Sequence, residues 1–147
     1  MNLETLQSKW EKDCILGDEL SDESKRIPSL HSEYIKLYNE FNLLKKKAEW
    51  DLKKVRRQRW EYYTGKADPE VYTEEPFDFK VLKSDIDRYI DSDEKIQKAQ
   101  LKFEYYQQIS FFLESVLTQI RDRQWQIRNA IEFQKLTLGY GLSLIHI

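Results

Sequence analysis

The residues best suited to chemistry in this chain are cations and aromatic rings that lie close together. Residues 52–66 read L-K-K-V-R-R-Q-R-W-E-Y-Y-T-G-K. Cations attract the phosphates of a nucleic acid, and unpaired bases stack on aromatic rings. The stretch therefore points to single-stranded nucleic acid as a ligand.

The formal net charge of −2 hides an uneven distribution along the chain. Residues 34–66 hold ten Lys and Arg against four Asp and Glu, whereas residues 67–95 hold four against ten. Residues 1–33 are also acidic, with four against eight. A phosphate backbone responds to the local field, so the basic segment is a candidate interface despite the acidic total.

Other kinds of chemistry find little support in the sequence. A nucleophile needs a positioned base, but the chain offers two His and a single Cys, Cys14, which we expect to be a small buried residue. The acidic runs 85–87 and 91–93 lack the turn glycine of a calcium loop, and no zinc or nucleotide-phosphate motif occurs. We expect neither an enzyme nor a metal or cofactor.

Length and composition predict one helical domain in a reducing cytoplasm. A chain of 147 residues with four Gly and three Pro favours helix. One Cys excludes an intrachain disulfide framework. No apolar run approaches the roughly 18 residues of a membrane helix, and Glu4 and Glu11 interrupt any signal peptide.

Hydrophobic periodicity predicts an all-α fold, a small bundle of long helices over residues 1–141. The predicted elements are a helix over about 2–16, a polar connection at 18–24, a basic helix over about 29–64 entered at Pro28, an acidic connection over 66–93, and an oligomerisation helix over about 93–138. We expect one short helix or extended piece near residues 77–82, and Ser92 as the N-cap of the last helix.

The basic helix separates into two faces at 100° per residue. The core-facing stripe comprises Tyr34, Leu37, Phe41, Leu44, Ala48, Leu52, Val55 and Tyr62. Trp50 and Trp60 fall on the opposite side with Lys46, Lys53 and Arg57, and exposed tryptophan suggests a use. Arg59 falls in the apolar stripe, where only its head group could reach solvent or a partner.

The predicted DNA-binding residues combine these cations and rings. They are Lys46, Lys53, Lys54, Arg56, Arg57, Arg59, Lys66, Trp50 and Trp60.

The last helix carries apolar residues at the 3-4 spacing of a helix–helix seam. The predicted oligomerisation residues are Phe103, Tyr106, Leu113, Leu117, Ile120, Ile127 and Ile131. A second apolar set includes Phe111, Phe112, Val116, Trp125 and Phe133. A helix that is apolar on two sides cannot bury both of them within a small bundle, so we expect self-association.

Residues 142–147, L-S-L-I-H-I, are similar to the translation of an adapter used in preparing sequencing libraries. This similarity predicts a non-native tail and a missing native C-terminus. An ordinary apolar tail is the alternative.

Three segments carry a resemblance to one protein family. Residues 57–66, R-Q-R-W-E-Y-Y-T-G-K, resemble the signature of the UvsY recombination mediators of large tailed phages: two basic residues one apart, a hydrophobic and an acidic residue, paired tyrosines, then Ser/Thr-Gly-basic. The opening residues 1–7 and the segment 123–128 resemble corresponding parts of that family.

The resemblance implies a fold and a function. UvsY proteins are not enzymes; they form closed homo-oligomeric rings through their C-terminal helices, and a heptamer is a candidate ring size. They bind single-stranded DNA, loosen the single-strand-binding protein and help to load the phage's RecA-like recombinase, in the cytoplasm of an infected bacterium. The family's DNA-binding basic pair maps to Arg57 and Arg59, while Trp60 stands where the family has a smaller apolar residue.

A structural coiled-coil or scaffold protein without nucleic-acid binding remains the alternative. It explains the C-terminal seam equally well. It does not explain why Trp50 and Trp60 are interleaved with cations. A binder of duplex DNA or RNA is less favoured because no groove-reading motif appears.

Overall fold

The computed structural model describes the backbone of residues 1–145 and the side chains of residues 1–139. Across that part of the chain it contains five helices and no strand. The helices are α1 (Leu3–Asp13), α2 (Leu20–Tyr63), α3 (Pro69–Glu74), α4 (Ile86–Asp91) and α5 (Glu94–Ile145). The predicted all-α class is confirmed. The suspected tail, residues 142–147, lies outside the described side chains, and its last two residues lie outside the described backbone.

The prediction that the basic helix starts near residue 29 is wrong. Helix α2 begins at Leu20 and carries Pro28 inside it, so the expected polar connection is shortened. Proline removes one backbone hydrogen bond and normally ends a helix. Tertiary contacts favour the helical first turns here: Glu23 accepts a hydrogen bond from Arg123 at 2.9 Å, and Arg26 pairs with Asp13 at 3.4 Å.

The acidic connection also differs from the prediction. Helices α3 and α4 form within it, while residues 77–82, where a short element was expected, lie in neither. Helix α5 is capped by Asp93 rather than Ser92, because the Ile96 N–H donates to Asp93 Oδ1 at 3.0 Å. The Ser92 hydroxyl donates to the Arg88 carbonyl instead.

The chain divides into two compact units, Met1–Asn39 with Phe111–Ile147, and Glu40–Ser110. In the first unit Leu6, Tyr34 and Leu113 are fully buried. The Trp10 ring meets the Tyr34 ring edge-on at 5.4 Å, and the Tyr34 hydroxyl donates to Asp13 Oδ2 at 2.8 Å. Cys14, expected to be buried, is the C-cap residue of α1 and is exposed.

The second unit contains the basic half of α2, both short helices and the start of α5. Its core centres on Leu52, Ile90 and Ile96. Partly buried side chains surround this cluster: Val55, Tyr63, Ile86, Ala99 and Phe103. This core fixes which face of α2 is left for solvent.

Candidate nucleic-acid interface

The solvent face of α2 in the second unit carries a series of cations. The exposed basic residues are Lys46, Lys47, Lys53, Lys54, Arg56 and Arg57, followed by Lys66 just beyond the helix. Lys53 pairs with Glu49 at 3.5 Å and Arg57 with Glu61 at 3.7 Å, with both cations largely exposed. Ion pairs in water are weak, so these cations remain available to an incoming phosphate.

Two tryptophans lie among these cations. Trp50 is 55% exposed and Trp60 is 41% exposed. A lysine ammonium lies over each ring: Lys46 Nζ is 5.9 Å from the Trp50 centroid and Lys66 Nζ is 4.7 Å from the Trp60 centroid. The two rings are ten residues apart, about 15 Å along a helix. The sequence predicted both on the solvent side, and the structure confirms their exposure.

The turn after α2 brings Lys66 to Trp60. Gly65 has a φ of 77°, a left-handed conformation that glycine adopts at little cost. The Lys66 N–H donates to the Glu61 carbonyl at 2.8 Å, and the Gly65 N–H donates to the Tyr62 carbonyl at 3.3 Å. This is the Schellman arrangement of a helix C-terminus. It reverses the chain so that Lys66 returns over the last turn.

The opposite face of α2 is buried at Phe41, Ala48, Leu52 and Tyr62, as the stripe predicted. Leu44, predicted in the same stripe, is 40% exposed. The apolar stripe therefore ensures that the cations and tryptophans face solvent.

Arg59 is placed differently from the other predicted DNA-binding residues. It is only 6% exposed. Its Nε donates to Asp93 Oδ2 at 2.7 Å, and its Nη1 and Nη2 donate to the two Glu75 carboxylate oxygens at 3.0 and 3.2 Å. The guanidinium also lies 4.2 Å from the Tyr62 ring centroid. Arg59 thus joins α2, the acidic connection and the N-cap of α5.

The paired tyrosines complete this buried network. The Tyr63 hydroxyl donates to Asp93 Oδ2 at 2.5 Å, and the Tyr62 hydroxyl donates to the Glu75 carbonyl at 3.0 Å. Sequence reasoning missed both acidic partners. The one available signal was the position of Arg59 in an apolar stripe, which requires a partner for its charge.

The network changes the pKa values of its members. Burial alone would raise the pKa of Asp93, but hydrogen bonds from Tyr63, Ile96 N–H and Arg59 outweigh it and hold that pKa below its usual value. The Arg59 hydrogen bonds lower the pKa of Glu75, against desolvation. Burial and the bond to Asp93 raise the pKa of Tyr63. Both carboxylates are therefore ionised near neutral pH.

The chain is similar to one family of known proteins over most of its length. A protein-family model described as "Recombination, repair and ssDNA binding protein UvsY" matches residues 9–140. The chain belongs to the UvsY family.

Solved structures agree with this assignment at the level of the fold. One crystal structure of the bacteriophage T4 recombination mediator protein UvsY is 21% identical, covers 94% of this chain and 98% of its own, and has a TM-score of 0.82. A second T4 UvsY crystal form is 19% identical, covers 90% and 98%, and has a TM-score of 0.79. No curated protein sequence matches the chain.

The segments that carry the UvsY resemblance lie in different environments. Residues 57–66 span the last turns of α2 and its reversal, where Arg57 is exposed and Arg59 is buried. Arg123, which starts the segment 123–128, is buried and donates to the carbonyls of Cys14 at 3.2 Å and Ile15 at 3.1 Å. Its Nε has no hydrogen-bond partner. Arg123 therefore holds the α1–α2 connection within the first unit.

The predicted oligomerisation residues lie mostly inside the chain's own units. Leu113, Ile120 and Ile127 are buried in the first unit. Phe103 packs on the Leu52 cluster, and the Tyr106 ring lies 6.4 Å from the Phe41 ring. Leu117 is half-buried, and Ile131 is exposed. For the buried members of this set, packing within one chain explains the 3-4 spacing.

A different set of large apolar side chains on α5 is exposed. These are Phe111, Trp125, Phe133, Leu136 and Leu138. Three of them belong to the second apolar set of the sequence, whereas its member Val116 is buried. The free apolar surface of α5 is therefore displaced from the predicted seam.

Neither a metal cluster nor a membrane-spanning helix occurs in the part of the chain that the structure describes. Among the residues that the structure describes, no three His, Cys, Asp or Glu side chains are grouped as metal ligands would be. None of the described helices has the length and apolar character needed to cross a membrane.

Proposed function

We propose that this chain is a recombination mediator that binds single-stranded DNA and promotes loading of a RecA-like phage recombinase onto strands covered by single-strand-binding protein. The observation that carries the proposal is the pairing of Trp50 and Trp60 with lysine ammonium groups on an exposed basic face, in a member of the UvsY family. The function is one of binding and assembly, without catalysis.

The chemistry of the α2 face suits a flexible single strand. Phosphates contact Lys46, Lys53, Lys54, Arg56, Arg57 and Lys66, while bases stack on the two tryptophans. Cationic charge supplies affinity without sequence preference, and a stacked base adds roughly 1–3 kcal/mol. Paired bases of a duplex cannot reach the rings, so single strands are preferred.

Assembly supplies the affinity that one helix lacks. We propose a homo-oligomeric ring, with seven subunits as a candidate size, closed through the exposed apolar residues of α5. Several linked sites raise avidity by roughly 100- to 10,000-fold without new contacts, provided that one strand can reach them all. A strand held in this way is bent and presented to the recombinase, while single-strand-binding protein is displaced. The setting is the cytoplasm of an infected bacterium.

The test is a fluorescence-anisotropy titration of labelled oligo-dT across a salt series, with light scattering on the same sample. We expect submicromolar, salt-steep binding by an oligomer. An R57A/K53A variant, altered at exposed residues, should bind more weakly with a shallower salt slope and the same assembly size. An oligomer that ignores oligo-dT at low salt would contradict DNA binding.

The second candidate function is a scaffold that oligomerises without binding nucleic acid. The exposed Trp125, Phe133 and Leu136 on α5 favour self-association and are equally consistent with it. It leaves the exposed tryptophan–lysine pairs of α2 unexplained. A displacement assay with single-strand-binding protein on oligo-dT separates the two, because a scaffold has no effect on the coated strand.

A further inference from the structure

The guanidinium of Arg59 has two edges with unequal partners. Asp93, on the Nε side, is buried, with a side chain 3% exposed, and it also caps α5 and accepts from Tyr63. Glu75, on the Nη side, has a side chain 44% exposed. The Asp93 edge is therefore fixed within the core, whereas the Glu75 edge borders solvent.

Glu75 holds that edge in the manner of a bound anion. Its two oxygens accept from Nη1 and Nη2 at 3.0 and 3.2 Å, the two-pronged geometry that arginine offers equally to a carboxylate and a phosphate. The Glu75 backbone is held separately, since its carbonyl accepts from the Tyr62 hydroxyl. The carboxylate can therefore leave Arg59 by side-chain rotation alone.

The surroundings of Glu75 include several cations that can meet an incoming phosphate. An open cleft of about 1020 Å³ lies beside it, lined by the cations Arg57, Arg59, Lys66, Lys95 and Lys98 and by the acidic residues Glu61, Asp68, Glu74 and Glu75. Lys95 Nζ lies 3.5 Å from Glu75 Oε2, so two cations share this one carboxylate. With Glu75 turned away, Arg59 and Lys95 would be left as cations without that carboxylate in a cleft that Arg57 also lines.

We propose that Glu75 is a built-in competitor for DNA, which occupies the Nη edge of Arg59 in the free protein and is displaced by a backbone phosphate of the bound strand. The inference rests on the proposed function. It gives Arg59 a DNA contact that its burial otherwise conceals, and it assigns the acidic connection a role in limiting affinity. Lys95, on α5, becomes a further DNA-binding residue.

The matched variants are Glu75→Gln and Glu74→Gln. Each removes one negative charge from the lining of the same cleft, but only Glu75 touches Arg59; Glu74 is exposed. We expect E75Q to bind oligo-dT roughly fivefold more tightly than the unaltered protein, as expected from the loss of one competing, partly exposed ion pair. E74Q should change affinity less than about twofold, the scale of one exposed, screened charge that holds no cation in place.

The gain must also depend on Arg59. In an Arg59→Lys background, which keeps the charge but not the forked guanidinium, E75Q should raise the affinity for oligo-dT no more than E74Q does. A second measurement uses the unaltered chain: the carboxyl ¹³C resonance of Glu75, assigned by its loss in E75Q. Saturating oligo-dT should move it to the position of a free glutamate.

The outcomes separate two failures. If the unaltered protein binds oligo-dT with a steep salt dependence but E75Q binds no more tightly than E74Q, or more weakly, the inference is overturned and the proposed function stands. An unmoved Glu75 resonance at saturation overturns it equally. If no variant binds oligo-dT, the proposed function fails as well.

Discussion

At the residue scale, the two basic residues of the UvsY-like segment 57–66 lie in opposite environments. Arg57 is exposed and paired only across 3.7 Å with Glu61, whereas Arg59 is buried among Asp93, Glu75 and Tyr63. Sequence periodicity located Arg59 in the apolar stripe, and that position was informative. Its partners were unpredictable, because they lie 16 and 34 residues further along the chain and no local pattern links them to α2.

Asp93→Asn tests the buried pair. Asparagine caps a helix about as well as aspartate, so the change removes charge and leaves the cap. Arg59 is then left without its buried counter-charge, and we expect a loss of about 3 kcal/mol in the free energy of unfolding. Urea denaturation measures it, with the exposed Asp91→Asn as control. Equal losses in the two variants would contradict a stabilising role for the pair.

The two carboxylates that contact Arg59 make the stability of the protein depend on pH. The folded-state pKa values of Asp93 and Glu75 lie below their usual values of 3.8 and 4.5. Their contribution to stability is therefore complete above those usual values and is lost as pH falls through the lower, folded-state values. Urea midpoints measured from pH 7 to pH 3 should show the gap between the unaltered protein and D93N beginning to narrow below about pH 4. A gap of constant size would contradict this linkage.

At the element scale, periodicity predicted the faces of the helices better than their ends. The stripe of α2 was correct at Phe41, Ala48 and Leu52 because burial of apolar area dominates a long amphipathic helix. The start of α2 was wrong because tertiary pairs to Glu23 and Arg26 offset the helix-breaking tendency of Pro28. Local propensity cannot show such contacts.

Different side chains of α2 should contact the phosphates and the bases of a bound strand. Arg57→Ala should lower affinity and reduce the slope of log K against log salt by about 0.7, because one phosphate contact is lost. Anisotropy titrations with oligo-dT across a salt series measure this slope. An unchanged slope would place Arg57 outside the phosphate path.

Trp60→Ala should lower affinity by roughly 1–3 kcal/mol with little change in salt slope, because stacking releases no counterions. Phe79→Ala is the matched control, since Phe79 is an exposed aromatic side chain of the acidic connection rather than of α2. Equal effects of W60A and F79A in the same titration would contradict a stacking site at Trp60.

At the scale of the whole molecule, the sequence pattern of α5 predicted a buried face but did not identify what buries it. A 3-4 repeat predicts that a face is buried but not whether the partner is the same chain or another. Leu113, Ile120 and Ile127 satisfy their repeat within one chain. Phe133 and Leu136 are among the exposed apolar residues of α5 left for a second copy.

Leu136→Asp should therefore disrupt assembly. A carboxylate cannot be buried in an apolar contact without a partner, and light scattering should report a smaller species. Leu82→Asp is the control, because Leu82 is similarly exposed but lies in the acidic connection. Retention of the full assembly in L136D would exclude this face of α5 from the interface.

We propose above all that a single strand of DNA lies along the exposed face of α2. Photo-cross-linking of an oligonucleotide containing 5-iodouracil, followed by mass spectrometry of the tryptic peptides, tests it directly. We expect cross-links at Trp50 and Trp60, lost when excess unlabelled oligo-dT competes. Cross-links confined to residues outside 46–66 would contradict it.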